Sequence, residues 1–465
     1  MVLWLRWFVI IKEFRPVFSR KRTFLWFVVV MIGFSIRRDL LWVTSFIRAL
    51  GIKQECYDRI LGFFNSNAIT PDRLAKKWVE IVLKFVPGIS RENGRILFVA
   101  DGIKISKSGK KMPYVKKLHQ ESDSNTKPEY ISGHSCQAVS ILIEAGKSFF
   151  ALPLISRICE GVVYTNRDKR TLLDKIILVL NILEINVPFY FIADAYYASA
   201  KIVLGLPNYA DLITRARLNS VAYYEPVVPL KKKKGRPKKY GEKVKLKSFF
   251  KKTKNMKKAM SPIYGDKDVE IQYLEVELLW RPVGKKVKFV IVIHPTRGKI
   301  ILMTTDLKLD ALKVIKLYSL RFKIEVSFKQ SIHTVGTYLY HFWMKDMKPR
   351  KKNDGNKYLH RETQKYREKV ERKIRSYHLH IQIGIIAQGL LQYLSSAFSE
   401  QVWENFGSWI KTIRPGVCPS EFVTSYALYN TLPKFLCDDI ENTNLTKLIR
   451  ENIDIKQKNF WLLVA

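Results

Sequence analysis

The spacing of apolar and polar residues predicts helices at both ends of the chain and strands in its middle. Residues 1–90 follow a helical period, and the uncharged run 24–36 predicts a buried helix because it is too short to span a bilayer. Residues 41–52 and 53–64 predict two helices joined at Gly51. Such a pair is either a DNA-binding helix-turn-helix or an ordinary helical hairpin. Pro87 and Gly88 mark the end of this region.

Apolar runs of strand type then alternate with helical patterns. The predicted strands are 95–100, 134–143, 149–155, 189–193 and 210–215, with a helix over 169–183. The first strand is expected to end at Asp101 and the fourth at Asp194. An apolar strand that ends in an acid is the usual way in which an α/β sheet presents a ligand. Each aspartate alone is also compatible with an ordinary turn residue.

The next stretch is strongly basic and then strand-like again. Residues 231–258 hold fifteen Lys or Arg and one acid, which is too much charge to pack a core. Within it, Lys234, Arg236 and Lys238 form a Lys-Gly-Arg-Pro-Lys motif typical of minor-groove binding, although a solvated basic linker is an equal alternative. Further strands are predicted at 270–280, 288–293 and 299–304. Trp280, in the first of these, is a candidate for base stacking, and core packing is the better interpretation.

A helix with candidate chemistry follows these strands. Asp306 is its predicted N-cap, and Tyr318, Arg321 and Glu325 share one face at positions i, i+3 and i+7. A buried carboxylate beside an arginine is costly unless it pairs or binds a cation, and a plain Arg321–Glu325 surface pair remains open. Together with the two aspartates, Glu325 completes three hard oxygen donors, which suit Mg²⁺ or Mn²⁺ rather than zinc.

Composition adds a partner to this picture. The 465 residues carry 81 Lys and Arg against 41 Asp and Glu, a net charge of +40. A field of that sign favours nucleic acid first and an anionic membrane second. The five cysteines are scattered, so neither a zinc site nor a disulfide framework is indicated, and a reducing cytoplasm is expected. Residues 346–465 are predicted to be helical, without a legible motif after residue 399.

The ordered set Asp101, Asp194 and Glu325, with Tyr-x2-Arg-x3-Glu around the last, resembles the DDE transposases of bacterial insertion sequences. The phrases VADGIKI, FIADAYYAS, LYSLRFKIEVSFKQ and YHFWM look like the same family. The resemblance implies a ribonuclease H-like α/β core in which the first and fourth strands are neighbours. It also implies a β-rich insertion before the glutamate and two Mg²⁺ or Mn²⁺ ions, with Asp101 bridging them and Asp194 and Glu325 on one ion each. Ile332 departs from the family pattern, which has a lysine there, and Lys329 or His333 is the candidate replacement.

These observations together predict a multidomain chain in which helical regions flank an α/β ribonuclease H-like catalytic core with a β-rich insertion. The expected regions are 1–90, 91–217, 218–305, 306–345 and 346–465. The expected function is metal-dependent cleavage and transfer of double-stranded DNA by a homodimer, without a membrane partner. A ribonuclease H-like nuclease and a catalytically inactive DNA-binding relic are the alternatives. The residues expected to bind DNA or phosphate are Tyr318, Arg321, Lys329, Lys234, Arg236 and Lys238.

Overall fold

Helices occupy both ends of the chain, and one large mixed sheet occupies its middle. The structure is a computed structural model that describes residues 2–40, 42–120, 128–227, 237–351, 353–437 and 443–454. The helices are α1 (Val2–Lys12), α2 (Lys21–Ile36), α3 (Thr44–Leu50), α4 (Cys56–Phe64), α5 (Pro71–Phe85), α6 (Leu172–Ile182), α7 (Ala200–Gly205), α8 (Ala311–Ser319), α9 (Lys323–Gln330), α10 (Gln364–Ala397), α11 (Ser399–Phe406), α12 (Glu421–Cys437) and α13 (Thr443–Asn452).

All eight predicted strand runs are present, and seven further short strands accompany them among the described residues. They are β1 (Arg91–Glu92), β2 (Arg95–Ser106), β3 (Lys116–His119), β4 (Tyr130–Ala145), β5 (Ser148–Ile158), β6 (Val162–Val163), β7 (Phe189–Ala193), β8 (Ala210–Arg215), β9 (Val221–Tyr223), β10 (Lys243–Lys245), β11 (Lys257–Met260), β12 (Glu270–Trp280), β13 (Lys285–His294), β14 (Gly298–Thr304) and β15 (Lys357–Tyr358). The short strands β6 and β15 form a separate two-stranded parallel sheet.

Thirteen of the described strands belong to one sheet. Its main path runs β10-β9-β12-β13-β14-β8-β7-β2-β4-β3, while β5 pairs with β4. The neighbours β2 and β7 are parallel, as are β7 and β8, whereas β4 runs antiparallel to β2. The first and fourth predicted strands are therefore adjacent. The strands of the basic, strand-rich stretch continue the same sheet, because β14 pairs antiparallel with β8.

The prediction that the first strand ends at Asp101 is wrong. Strand β2 continues to Ser106, because its antiparallel partner β4 pairs with it as far as Ser106 and Gly133. On the other side of β2, the parallel pairing with β7 stops at Ala100 and Ala193. Asp101 is thus the first residue of β2 beyond its pairing with β7, and it lies in mid-strand.

Successive side chains of the central strands alternate between two hydrophobic layers, one on each face of the sheet. In β2, Ile96, Phe98 and Ala100 face a large core that includes side chains of the terminal helices and of α6. Leu97 and Val99 face a second core, which includes the apolar side chains of α8 and Ile324 of α9. The sheet is consequently covered on both faces, which is why its central strands are almost continuously apolar.

The two helical ends of the chain pack on each other. The predicted helix over 24–36 is confirmed as α2, and almost all of that run is buried. The indole of Trp4 in α1 donates a hydrogen bond to the carbonyl of Leu428 in α12 (3.0 Å) and stacks on Phe435 (centroids 5.3 Å apart). The pair α3 and α4 is present, with Gly51 ending α3 at a φ of 59°. Among the described residues, no single helix meets the length and hydropathy needed to cross a membrane, although the bent pair α10 and α11 does so jointly.

Residues 311–335, hereafter the Glu325 helix, form one helical run with two irregular turns. A 3₁₀ turn at Leu320–Phe322 joins α8 to α9, and a π-helical turn follows at Ser331–Val335. The prediction that Asp306 is the N-cap of this helix is wrong. Asp310 caps α8 instead, since its Oδ1 accepts hydrogen bonds from the backbone N–H groups of Leu312 (2.9 Å) and Lys313 (3.2 Å). Asp306 accepts a hydrogen bond from the hydroxyl of Tyr190 (2.6 Å).

Candidate active site

Two aspartates from neighbouring parallel strands begin the site. Asp101 and Asp194 each follow directly on the last paired residues of β2 and β7, Ala100 and Ala193. Both acids continue the alternation of the side chains that face the second core, such as Val99. The strand register therefore carries both carboxyl groups to the sheet face that the Glu325 helix covers.

Arg321 connects this sheet edge to the helix. Its Nη1 lies 3.0 Å from Oδ2 of Asp101, and its Nη2 lies 2.7 Å from Oε1 of Glu325, one helical turn along. The predicted Arg321–Glu325 pair is present, but Arg321 is mostly buried and also bonds an acid 220 residues earlier in the chain. The guanidinium thus bridges two of the three predicted carboxylates.

The electrostatics of Asp101 follow from this crowding. Burial, and then the negative charge of Asp194, raise the pKa of Asp101 to about 6, while Arg321 and the backbone N–H of Gly102 (2.7 Å) oppose the rise. Burial by itself would lower the pKa of Arg321, yet the charges of Asp101 and then of Tyr318 and Glu325 leave it raised. The cluster therefore holds more negative charge than the one guanidinium neutralises.

Tyr318 completes the predicted helix face, and a strand residue that the sequence did not single out joins it. Burial raises the pKa of Tyr318, while the positive charges of Arg321 and then Arg215 oppose the rise and Asp194 adds to it. Arg215 is the exposed last residue of β8, the strand beside β7. The available signal was its position at the end of the strand next to the one that leads into Asp194.

Three further residues of the helix, Lys329, Ile332 and His333, bear on the missing family lysine. Lys329 is exposed one turn beyond Glu325, and among the described residues the two form no ion pair. Ile332 lies in the π-helical turn and packs, partly buried, against the large core. His333 is exposed beside it. The π-helical turn separates the position of the expected lysine from the regular helix that carries Glu325.

The donor chemistry of the site fits a divalent cation. Asp194 and Glu325 both raise the pKa of Asp101, so the three carboxylates repel one another, and a hard cation would relieve that repulsion. The described residues contain no group of three acidic, histidine or cysteine side chains already arranged as a metal site. The position between Asp101 and Glu325 is taken by the guanidinium of Arg321.

The remaining residues predicted to contact DNA belong to the basic segment 231–258. Lys234 and Arg236 fall outside the described residues, and Lys238 is exposed. Trp280 is buried in the large core, so the core-packing interpretation is confirmed.

Comparison with known proteins does not assign the chain to a family. No model of a known protein family matches it. A search of curated proteins also finds no match.

Proposed function

We propose that this chain is a DNA transposase of the DDE type, with a ribonuclease H-like core. The observation that carries the proposal is the bridge from Asp101 through Arg321 to Glu325, on the sheet face to which Asp194 also belongs. Asp101 lies in β2, Asp194 directly follows β7, and Glu325 lies in α9. Their order along the chain and the Tyr-x2-Arg-x3-Glu spacing are those of that family. The adjacency of the strands β2 and β7 supports the core assignment.

Asp101, Asp194 and Glu325 are the residues that would hold two divalent ions, Mg²⁺ or Mn²⁺. Such ions, when bound, supply activation of the attacking oxygen and stabilisation of the leaving oxygen in an in-line displacement at phosphorus. The aspartates contribute fixed positions because the strand register sets their spacing. Asp101 must also lose its proton before it can serve as a ligand, which couples cation binding to pH.

Arg321 and Tyr318 would act on the DNA phosphate. Arg321 bonds two carboxylates through separate nitrogens, and this two-pronged geometry also matches a phosphate. Once cations neutralise the acids, its charge is available for the scissile strand. The hydroxyl of Tyr318 supplies a neutral donor on the same face. Arg215 adds positive charge from the end of β8, the strand that pairs with β7 as far as Ala193 and Thr214.

The expected partner is double-stranded DNA, bound by a homodimer in the cytoplasm. The net charge of +40 supports a polyanionic partner and gives binding a steep dependence on salt. We include the transposon ends among the expected DNA partners, because transposases of this family cut and join the ends of their own transposon.

The test begins with the DNA that flanks the gene, which is searched for terminal inverted repeats. A labelled duplex that carries these repeats is then mixed with the protein and Mg²⁺. We expect the full chain to cut at the repeat ends and to join them to a second duplex. Asp101→Asn, Asp194→Asn and Glu325→Gln should each abolish both products and keep DNA binding. Glu404→Gln, on the exposed side of α11, is the matched control and should retain activity.

Each contrary outcome has a distinct meaning in this assay. Cutting without joining would identify a ribonuclease H-like nuclease. Binding without cutting by the unaltered chain would identify an inactive relic. Full activity in any of the three carboxylate variants would remove that residue from the site.

A further inference from the structure

Three rings form an exposed aromatic surface beyond the end of the Glu325 helix. Trp42 is 49% exposed and Trp343 is 64% exposed, and His341 lies between them. The ring centroids of Trp42 and His341 are 5.2 Å apart, and those of His341 and Trp343 are 5.8 Å apart. Two neighbouring tryptophans with about half or more of their surface in water leave a large apolar area without a partner among the described residues. Trp42, His341 and Trp343 together are hereafter the aromatic platform.

The backbone holds Trp42 in a conformation that bulky side chains avoid. Its φ is 57°, in the left-handed region. Its carbonyl accepts hydrogen bonds from Oγ of Ser45 (2.7 Å) and Nη1 of Arg37 (3.4 Å). Arg37 is buried and also donates to the carbonyl of Val335 (2.6 Å), the last residue of the Glu325 helix. One arginine thus fixes the backbone of Trp42 relative to the end of that helix.

A basic loop borders the other end of the platform. Residues 106–111 lie against the segment that carries Trp343, since the N–H of Met344 donates to the carbonyl of Lys111 (3.0 Å). Lys110 in this loop and Lys345 beside Trp343 are both exposed. The nearest acids along the chain are already neutralised, because Asp346 pairs with Lys369 and Asp39 with Arg48.

Flat rings next to exposed lysines match one chemical class of partner. Unpaired nucleobases stack on aromatic side chains, and the phosphates that join them are neutralised by cations at the rim. Bases in an intact duplex do not offer their faces, so a double strand is a poor occupant. A hydrophobic protein segment would cover the rings but would gain little from the lysines.

We propose that the aromatic platform binds the unpaired bases of a DNA single strand, with the basic loop and Lys345 contacting its phosphates. Val335 lies ten residues after Glu325, which corresponds to about 15 Å along a helix. Arg37 holds the backbone of Trp42 against this end of the helix, so a strand on the platform would lie near Val335 and not at the carboxylate cluster. This binding requires neither Asp101 nor a divalent ion, so it stands or falls separately from the proposed strand cleavage.

The test measures binding of the full chain, in EDTA, to a fluorescent oligothymidine of about twelve nucleotides. A strand of equal length built from abasic residues has the same phosphates and no bases. We expect the base-bearing strand to bind about tenfold more tightly than the abasic one. Trp343→Ala should remove most of that difference, whereas Trp343→Phe, which keeps an aromatic face, should retain it. Trp409→Ala is the matched control, because Trp409 is 94% exposed in a different loop and should not matter.

Trp343 is the position of choice because a substitution at Trp42 also changes a strained turn. Thermal unfolding of each variant checks that the fold is intact. Equal affinity for the two strands, or an unchanged preference in Trp343→Ala, would overturn the proposal. It would also be overturned if Trp343→Ala abolished self-association in sedimentation while strand affinity stayed constant, since the platform would then serve a second copy of this chain.

Discussion

Asp101 is the residue on which the opposing forces of the site meet. Burial and the charge of Asp194 favour its protonated form, while Arg321 favours the carboxylate, and the result is a pKa of about 6. Near neutral pH the carboxyl group of Asp101 is therefore ionised at a cost in folding stability, and a bound cation would reduce that cost. Such tension is expected where a protein sacrifices stability for binding chemistry.

The raised pKa of Asp101 gives a pH-dependent stability with a definite sign. Because the folded-state pKa of about 6 exceeds the ordinary value, ionisation of Asp101 opposes folding above pH 6. The penalty vanishes below about pH 4, where the carboxyl group is protonated in both states. We expect Asp101→Asn to increase the free energy of unfolding by about 1–3 kcal/mol at pH 8 and to have no effect near pH 4. Denaturant unfolding at the two pH values measures this.

Two controls sharpen that measurement. Asp168 has a pKa lowered mainly by its hydrogen bonds with Arg170, so Asp168→Asn should bring no gain at pH 8. Mg²⁺ should raise the melting temperature of the unaltered chain at pH 8 and should do so less in Asp101→Asn. A destabilised Asp101→Asn at pH 8 would show that the ion pair with Arg321 outweighs the burial of charge.

The position of Ile332 bears on the missing family lysine. Because Ile332 packs against the large core, Ile332→Lys should lower the free energy of unfolding by about 1–3 kcal/mol, without increasing cleavage. Lys329→Ala should leave stability within about 0.5 kcal/mol, as for an exposed residue, and should slow cleavage about tenfold if Lys329 binds phosphate. Unfolding curves and single-turnover cleavage rates separate the two effects. Faster cleavage by Ile332→Lys would mean that this side chain can leave the core and reach the DNA.

At the scale of elements, local patterns predicted most of the strands, and long-range pairing decided the rest. The runs 210–215 and 270–280 became β8 and β12 with the same bounds, because turn residues delimit them. Asp101 looked like a strand end because the apolar run stops there, but pairing with β4 carries β2 further. No local signal indicates such a partner.

The contacts of the candidate site were likewise predictable where they are local in sequence and unpredictable where they are long-range. The helical period correctly joined Arg321 to Glu325, since a separation of four residues is a local property. The ion pair between Arg321 and Asp101 spans 220 residues and depends on how the helix docks on the sheet. Arg215 was missed because a basic residue at a strand end is common, and only the order of β7 and β8 gives it meaning.

The cap of α8 offers a test of what stabilises the start of the Glu325 helix. Asp310→Ala should cost about 1 kcal/mol of stability, because two backbone N–H groups lose their acceptor. Asp310→Asn should cost almost nothing, since asparagine caps equally well. Chemical denaturation of both variants gives the comparison. Equal losses would indicate that the charge of Asp310, rather than its capping oxygen, stabilises the helix.

At the scale of the whole molecule, the charge of +40 predicts binding that weakens steeply with salt. Removal of residues 231–239, of which 231–236 lie outside the described residues, should flatten the slope of log K against log salt. The slope should change by about 0.9 for each DNA phosphate that the shortened chain no longer neutralises. Titrations of a fixed duplex at several salt concentrations measure it. Arg236→Ala should in addition remove any preference for A·T-rich competitor DNA, and an unchanged slope would leave the segment as a linker.

The pairing of β14 with β8 has a consequence for any shortened form of this chain. Strand β8 has β7 on one side, and on the other its residues Ile213 to Arg215 pair with β14. If the segment 218–305 were deleted, these backbone N–H and C=O groups would be unpaired at an exposed edge of the sheet. Strands of other molecules can pair with such an edge. The trimmed protein would tend to aggregate even with every carboxylate of the site in place. Strand β14 thus covers an edge of the part of the sheet that carries the two aspartates, and this role is independent of any contact with DNA.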